Sequence, residues 1–116
     1  MSTVVVVLSI LLAAVFLGSG LAKLANVDAM KKSAEQLGYS QNLSRIIGAL
    51  EVAAAAGLII GLFWMPLGLA AAIGLTVLMI GAVYYHVRAK DAPAHIVPPA
   101  VLTLISAATA VLIPIA

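Results

Sequence analysis

The sequence contains no cysteine among its 116 residues. That excludes disulfides, thiolate metal sites and a cysteine nucleophile. Charge is nearly as scarce: 9% of the residues are Asp, Glu, Lys or Arg, where a soluble domain carries about a quarter. No GxGxxG, P-loop, HExxH or serine–histidine–acid signature is present, and no internal repeat. What is abundant is apolar, at 65% of the chain, with a mean hydropathy of +1.24. So little polar surface does not cover a water-exposed globule. The composition predicts a single integral membrane domain over residues 1–116 whose first partner is the lipid bilayer. The net charge of +2 gives no reason to expect a nucleic-acid partner.

Four apolar runs follow one another. The first covers residues 4–22 and stops at Lys23; about 20 helical residues cross the hydrocarbon core, so it is expected to span. It has no basic residue ahead of it and is longer than a signal-peptide core, so it is expected to be retained. Residues 44–63 form the second span, with Asn42 or Ser44 as its N-cap. The uncharged Phe63-Trp64-Met65-Pro66 turn then leads into a third span over residues 67–87, Pro66 suiting its first turn and Trp64 an interface. After a polar loop at residues 89–95, Pro98-Pro99 opens a fourth span, residues 97–115. Thr103, Ser106 and Thr109 set hydroxyls along it, bonded to their own helix or a neighbour.

Between the first two spans lies the longest polar stretch. There Val27, Met30, Ala34 and Leu37 recur at helical spacing, predicting a short amphipathic surface helix over residues 27–37, ended by Gly38. It reads as a solvated connection or, alternatively, as a lid over a cavity. The fold class is therefore all-α: an up-down four-helix membrane bundle with a surface helix between spans 1 and 2. Rows of small residues, Ala53/Gly57/Gly61 and Ala14/Gly18/Ala22, are expected at close helix contacts. All six basic residues fall on one side of this topology, so the positive-inside rule puts both charged loops in the cytoplasm and both termini outside.

Glu51 is the carboxylate embedded in a span. An ionisable residue at such a position is costly and marks a functional site by default. It follows Arg45 by six residues, about 9 Å along the helix axis. Lys23 closes the first span on the same side, and Tyr84, Tyr85 and His86 close the third. The bundle is thus expected to gather Glu51, Lys23, His86 and a tyrosine in one polar pocket. Glu51 there is either a paired carboxylate that fixes helix register or a general acid or base. His86 beside Arg88 also reads as an interface residue, and His95 as a solvated one. Nothing in the histidine spacing favours haem or metal, and no metal site is expected.

Several of these segments are familiar together: Phe16-Leu17-Gly18-Ser19-Gly20-Leu21-Ala22-Lys23-Leu24, Gly38-Tyr39, Ile47-Gly48-Ala49-Leu50-Glu51, and Gly81-Ala82-Val83-Tyr84-Tyr85-His86-Val87-Arg88. In this combination the chain resembles the DoxX-like family over nearly its whole length. The resemblance implies a four-helix protein of the bacterial inner membrane. It implies less about activity, because the family is functionally mixed: its name comes from a quinol oxidase and thiosulfate–quinone oxidoreductase context, and some members are linked to oxidative-stress complexes. Carried over by position, the family's polar signature falls on Lys23, Glu51 and the Tyr85, His86, Arg88 group.

Three functions compete. The first is a small membrane enzyme or redox accessory acting on a lipophilic molecule, a quinone among the candidates. Glu51, His86, Lys23 and Tyr85 would carry the acid/base chemistry, and Tyr84, Arg88 and Ser19 would contact the substrate. The chain itself supplies no redox centre, so electron transfer requires a bound cofactor or a partner subunit. The second is a proton-coupled transporter resembling small multidrug exporters; in those the glutamate lies in the first helix and the loops carry little charge bias, unlike here. The third is a non-catalytic assembly subunit. The small-residue rows serve a homo-oligomer equally well.

Overall fold

Serine side chains close the first turn of two of the long helices. Ser2 Oγ accepts from the Val5 amide at 3.3 Å and Ser40 Oγ from the Leu43 amide at 3.0 Å, satisfying donors that a helix start leaves open. The computed structural model describes residues 2–90 and 93–115. They form α1 (Thr3–Ala25), α2 (Asp28–Leu37), α3 (Gln41–Ile60), α4 (Met65–Arg88) and α5 (Pro93–Leu112), with no strand among the described residues. All but α2 are long and apolar enough to cross a membrane. The expected all-α architecture with a short extra helix between the first two spans is what the chain adopts.

The four long helices alternate in direction. α1 packs most extensively on α3, α3 on α4 and α4 on α5, whereas α1 and α5 touch sparsely. The ring therefore closes tightly on three sides and loosely on the fourth. Its core is Val5, Leu12, Ala13 and Phe16 of α1, Ala55 and Leu58 of α3, Ala71, Ala72, Leu75 and Met79 of α4, and Ile113 just beyond α5. α2 lies across one end, on α3 and α4. Its Ala34 and Leu37 are buried, which is why an otherwise polar ten-residue helix holds its place. Gly38 ends it at φ 80°, a left-handed turn open to glycine at little cost.

α1 and α3 approach backbone to backbone. A Cβ added to Gly20 would lie 2.6 Å from the Gly48 carbonyl oxygen, and one on Gly48 would lie 2.7 Å from that of Gly20. This corrects the row expected on α1: Gly18 has nothing within 4 Å and Ala14 is exposed, because a four-residue spacing of small side chains does not say which face turns inward. On α3, Gly57 packs on Ala71 and Gly61 on Gly68, while Ala53 is exposed.

Several boundaries also differ from those expected. α3 starts earlier, capped by Ser40 rather than Asn42 or Ser44, and Ser44 is buried. The fourth span begins at Pro93 and carries Pro98 and Pro99 inside it, where each removes one helical hydrogen bond. It ends at Leu112 rather than near residue 115, because Pro114 disfavours helical geometry at Ile113. Of the loop expected over residues 89–95, Asp91 and Ala92 lie outside the described residues. Thr103 and Thr109 donate to the carbonyls of Pro99 and Ile105, each at 2.8 Å, whereas the buried Ser106 hydroxyl meets no partner among the described residues.

Candidate functional site

The Gly20–Gly48 contact determines what stands beside it. With the backbones this close, the side chains one turn further along each helix, Lys23 and Glu51, come within reach. Glu51 is the eleventh of the 20 residues of α3, so it lies mid-helix, and its side chain is 1% exposed. Lys23 sits in the last turn of α1. A helical side chain tilts toward its own N-terminus, which here directs the lysine away from the charged end and into the bundle. Its Nζ donates to Ser19 Oγ, one turn back, at 2.7 Å and lies 2.8 Å from Glu51 Oε1.

That ion pair leaves the carboxylate half satisfied. Lys23 Nζ lies within charge-assisted hydrogen-bond distance of Oε1, while Oε2 meets no hydrogen-bond partner among the described residues. A buried pair offsets its desolvation only where further hydrogen bonds complete it. Glu51 has the charge partner on one oxygen and lacks a donor on the other.

The open space beside the pair explains how donors could reach it. A cavity of about 260 Å³ lies under α2, between it and the ends of α3 and α4. Its polar lining is Lys23, Ser33, Tyr39, Glu51, Tyr85 and His86; Met30, Leu37, Ile47 and Met79 are among its apolar walls. A second cavity, about 200 Å³, lies on the other side of the pair between α1, α4 and α5, walled by Val15, Phe16, Pro98, Pro99 and Leu102. Lys23, Glu51, Met79, Ala82 and His86 line both. The ion pair is thus a shared partition between two compartments.

Aromatic rings close the first compartment. Tyr39 meets Tyr85 edge-on with centroids 5.3 Å apart, and Tyr85 meets Tyr84 at 5.9 Å. Burial raises the pKa of the Tyr39 phenol above its ordinary value; a hydrogen bond with Ser33 opposes the shift, and the Glu51 charge and Tyr85 add to it.

Of the seven residues singled out from sequence, Lys23, Glu51, His86 and Tyr85 come together around the first cavity, and Ser19 lines the second. Tyr84 is 60% exposed and Arg88 is exposed; neither lines either cavity, because both fall on the outward side of the last turns of α4. Sequence reasoning missed Tyr39, Ser33 and Leu102. Tyr39 was visible only as the residue after the helix-ending glycine, and Ser33 as a polar position on the edge of the apolar face of α2. No group of three or more histidine and acidic side chains gathers among the described residues.

The fold and the site define a small four-span helical membrane protein with a buried ion pair between two cavities. The DoxX-like family profile matches residues 7–109, and the chain belongs to that family. Comparison with curated proteins and with solved structures gives no match.

Proposed function

We propose that the protein binds a lipophilic small molecule in the cavity beneath α2 and acts on it by acid/base chemistry at Glu51, as a small membrane enzyme or redox accessory of the bacterial inner membrane. The observation that carries this reading is the buried Glu51 carboxylate, ion-paired with Lys23 through Oε1 and with Oε2 given no hydrogen-bond partner by the described residues, facing a cavity edged by Tyr39, Tyr85 and His86. In that arrangement Glu51 takes or gives the proton, Lys23 sets its charge environment, and the Tyr85 and His86 side chains stand where a polar head would sit. A quinone is the substrate class implied by the family resemblance, and it would carry the electrons in a redox role. The six basic residues all lie at the α2 end of the bundle, which we assign to the cytoplasm with both termini outside.

The test is binding of a short-chain benzoquinone and its quinol to the protein in lipid nanodiscs. Glu51→Gln is expected to weaken quinol binding by about tenfold, the scale of one hydrogen bond to a charged group, since the quinol hydroxyl donates to the carboxylate and the quinone carbonyls do not. Undiminished binding by that variant, with binding by the parent protein, removes Glu51 from the role.

The pairing distance itself favours a second reading, in which the protein is a non-catalytic assembly subunit and the 2.8 Å Lys23–Glu51 contact fixes helix register. A transporter is supported less well. Toward the opposite end from α2, the interior beyond Glu51 is filled by the buried side chains of Ala55, Leu58, Ala72 and Leu75, which obstruct a path across the bundle.

A further inference from the structure

The compartment between α1 and α5 is where the structure says most about what the ligand looks like and how it arrives. We infer that this cleft is a lateral portal and tail channel, and that the ligand is a membrane amphiphile whose head donates a hydrogen bond, such as a phenol or alcohol, to Glu51. This rests on the preceding reading of Glu51 as a ligand-binding group and adds the route and the chemical class.

Three observations carry it. First, the cleft lies along the one seam of the helix ring that is loosely closed, between α1 and α5. Its outer residues Val15 and Pro98 are exposed, and both belong to helices long and apolar enough to cross a membrane, so its mouth faces lipid rather than water. Second, its lining is graded. Val15, Phe16 and Leu102 make an apolar wall, and Ser19, Lys23, Glu51 and His86 supply the polar inner side. Val15 precedes Lys23 by eight residues, so the apolar part runs about 12 Å along α1 from the charged end. An apolar chain fits the outer part and a polar head the inner one. Third, the head meets an acceptor. Glu51 is fully buried; Lys23 meets its Oε1 and its Oε2 has no hydrogen-bond partner among the described residues; a carboxylate accepts and does not donate, so a donor head completes it and an ether or ester does not. The two compartments share the ion pair, which places the head beside Tyr39 and Tyr85 once it passes the partition.

The experiment compares para-nonylphenol, its methyl ether para-nonylanisole, and the tail-less para-cresol, each titrated into the protein in nanodiscs. The phenol is expected to bind about tenfold more tightly than the ether; equal binding overturns the donor assignment. Val15→Trp, which fills the mouth of the cleft from a lipid-facing position, is expected to abolish nonylphenol binding and spare cresol. Nonylphenol binding that survives Val15→Trp while Glu51→Gln abolishes it overturns the portal and leaves the Glu51 reading standing. Indifference to both substitutions overturns both. A nonylphenol carrying a diazirine at the end of its tail gives an answer on the unaltered protein. Photoadducts on α1 and α5 around Val15 and Leu102 support the channel, and adducts on α2 alone overturn it.

Discussion

Gly20 and Gly48 meet backbone to backbone, and three residues beyond each stands one member of the Lys23–Glu51 pair. The contact leaves no room for a side chain: the obstacles at 2.6 and 2.7 Å include carbonyl oxygens of the facing helix, which move only if the helices part. Gly20→Ala and Gly48→Ala are therefore each expected to cost about 1–3 kcal/mol, as overpacked sites do, and to lengthen the ion pair. Gly18→Ala, with nothing within 4 Å, is the control and is expected to leave stability unchanged. Detergent-induced unfolding followed by circular dichroism reads the difference. If all three variants unfold together, the crossing does not determine the position of the pair.

The two halves of the ion pair are unequally buried, 16% exposed for the Lys23 side chain and 1% for Glu51, and that inequality makes a directional prediction. Lys23→Met leaves a carboxylate enclosed in the bundle without its counter-charge, a loss of about 3–5 kcal/mol for a buried pair broken from one side. Glu51→Gln leaves a lysine near a helix end that can turn its ammonium toward the surface, so its cost is smaller. The double variant is expected to recover much of the Lys23→Met loss. A double-mutant cycle on the unfolding midpoint measures this, and simple additivity of the two losses would show that the residues do not act as a pair.

Gly38 is the hinge of the cover. At φ 80° it directs the chain from α2 back toward α3 and sets Tyr39 against Tyr85. Alanine there meets no steric obstacle from neighbours, since nothing lies within 4 Å, but the left-handed backbone costs an L-residue about 1–2 kcal/mol. Gly38→Ala is expected to loosen α2 while leaving the four long helices intact, and Gly38→Asn to do so less. Limited proteolysis would show earlier cleavage within residues 28–40 at unchanged helical content. Equal protection of parent and variant would mean that α2 is held by Ala34 and Leu37 alone.

Residue patterns gave away the architecture because lipid makes a strong demand: a span must be about 20 apolar residues long and helical, and four such runs stand out. Glu51 was equally visible, being the one acid within a span. What stayed hidden depended on rotation and on local backbone. The small-residue row of α1 pointed to Gly18, yet Gly20 makes the contact, since composition leaves open which face of a uniformly apolar helix turns inward. Pro98 and Pro99 read as a helix start and instead lie within α5, past its first turn. Tyr39 reaches the cavity through the path of α2 and the turn at Gly38, which no spacing along the chain encodes.

Tyr39 also supplies a test of the cover by pH. Its phenol is held neutral above the ordinary value of 10.0, first by burial and then by the nearby Glu51 charge and Tyr85, against the opposing Ser33 hydrogen bond. A folded-state pKa raised above the unfolded one means that the folded protein holds the proton more tightly. The resulting stability is fully present below pH 10.0 and is lost as pH rises through the higher folded value. With three tyrosines in the chain, absorbance titration in detergent is expected to show a late tyrosinate phase that Tyr39→Phe removes. The same substitution should flatten the alkaline loss of stability at the α2 end, because no phenolate then has to form beside Glu51. A late phase that persists in Tyr39→Phe, or a Tyr39 that ionises together with the exposed Tyr84, would place its ring in water and open the cavity at that edge.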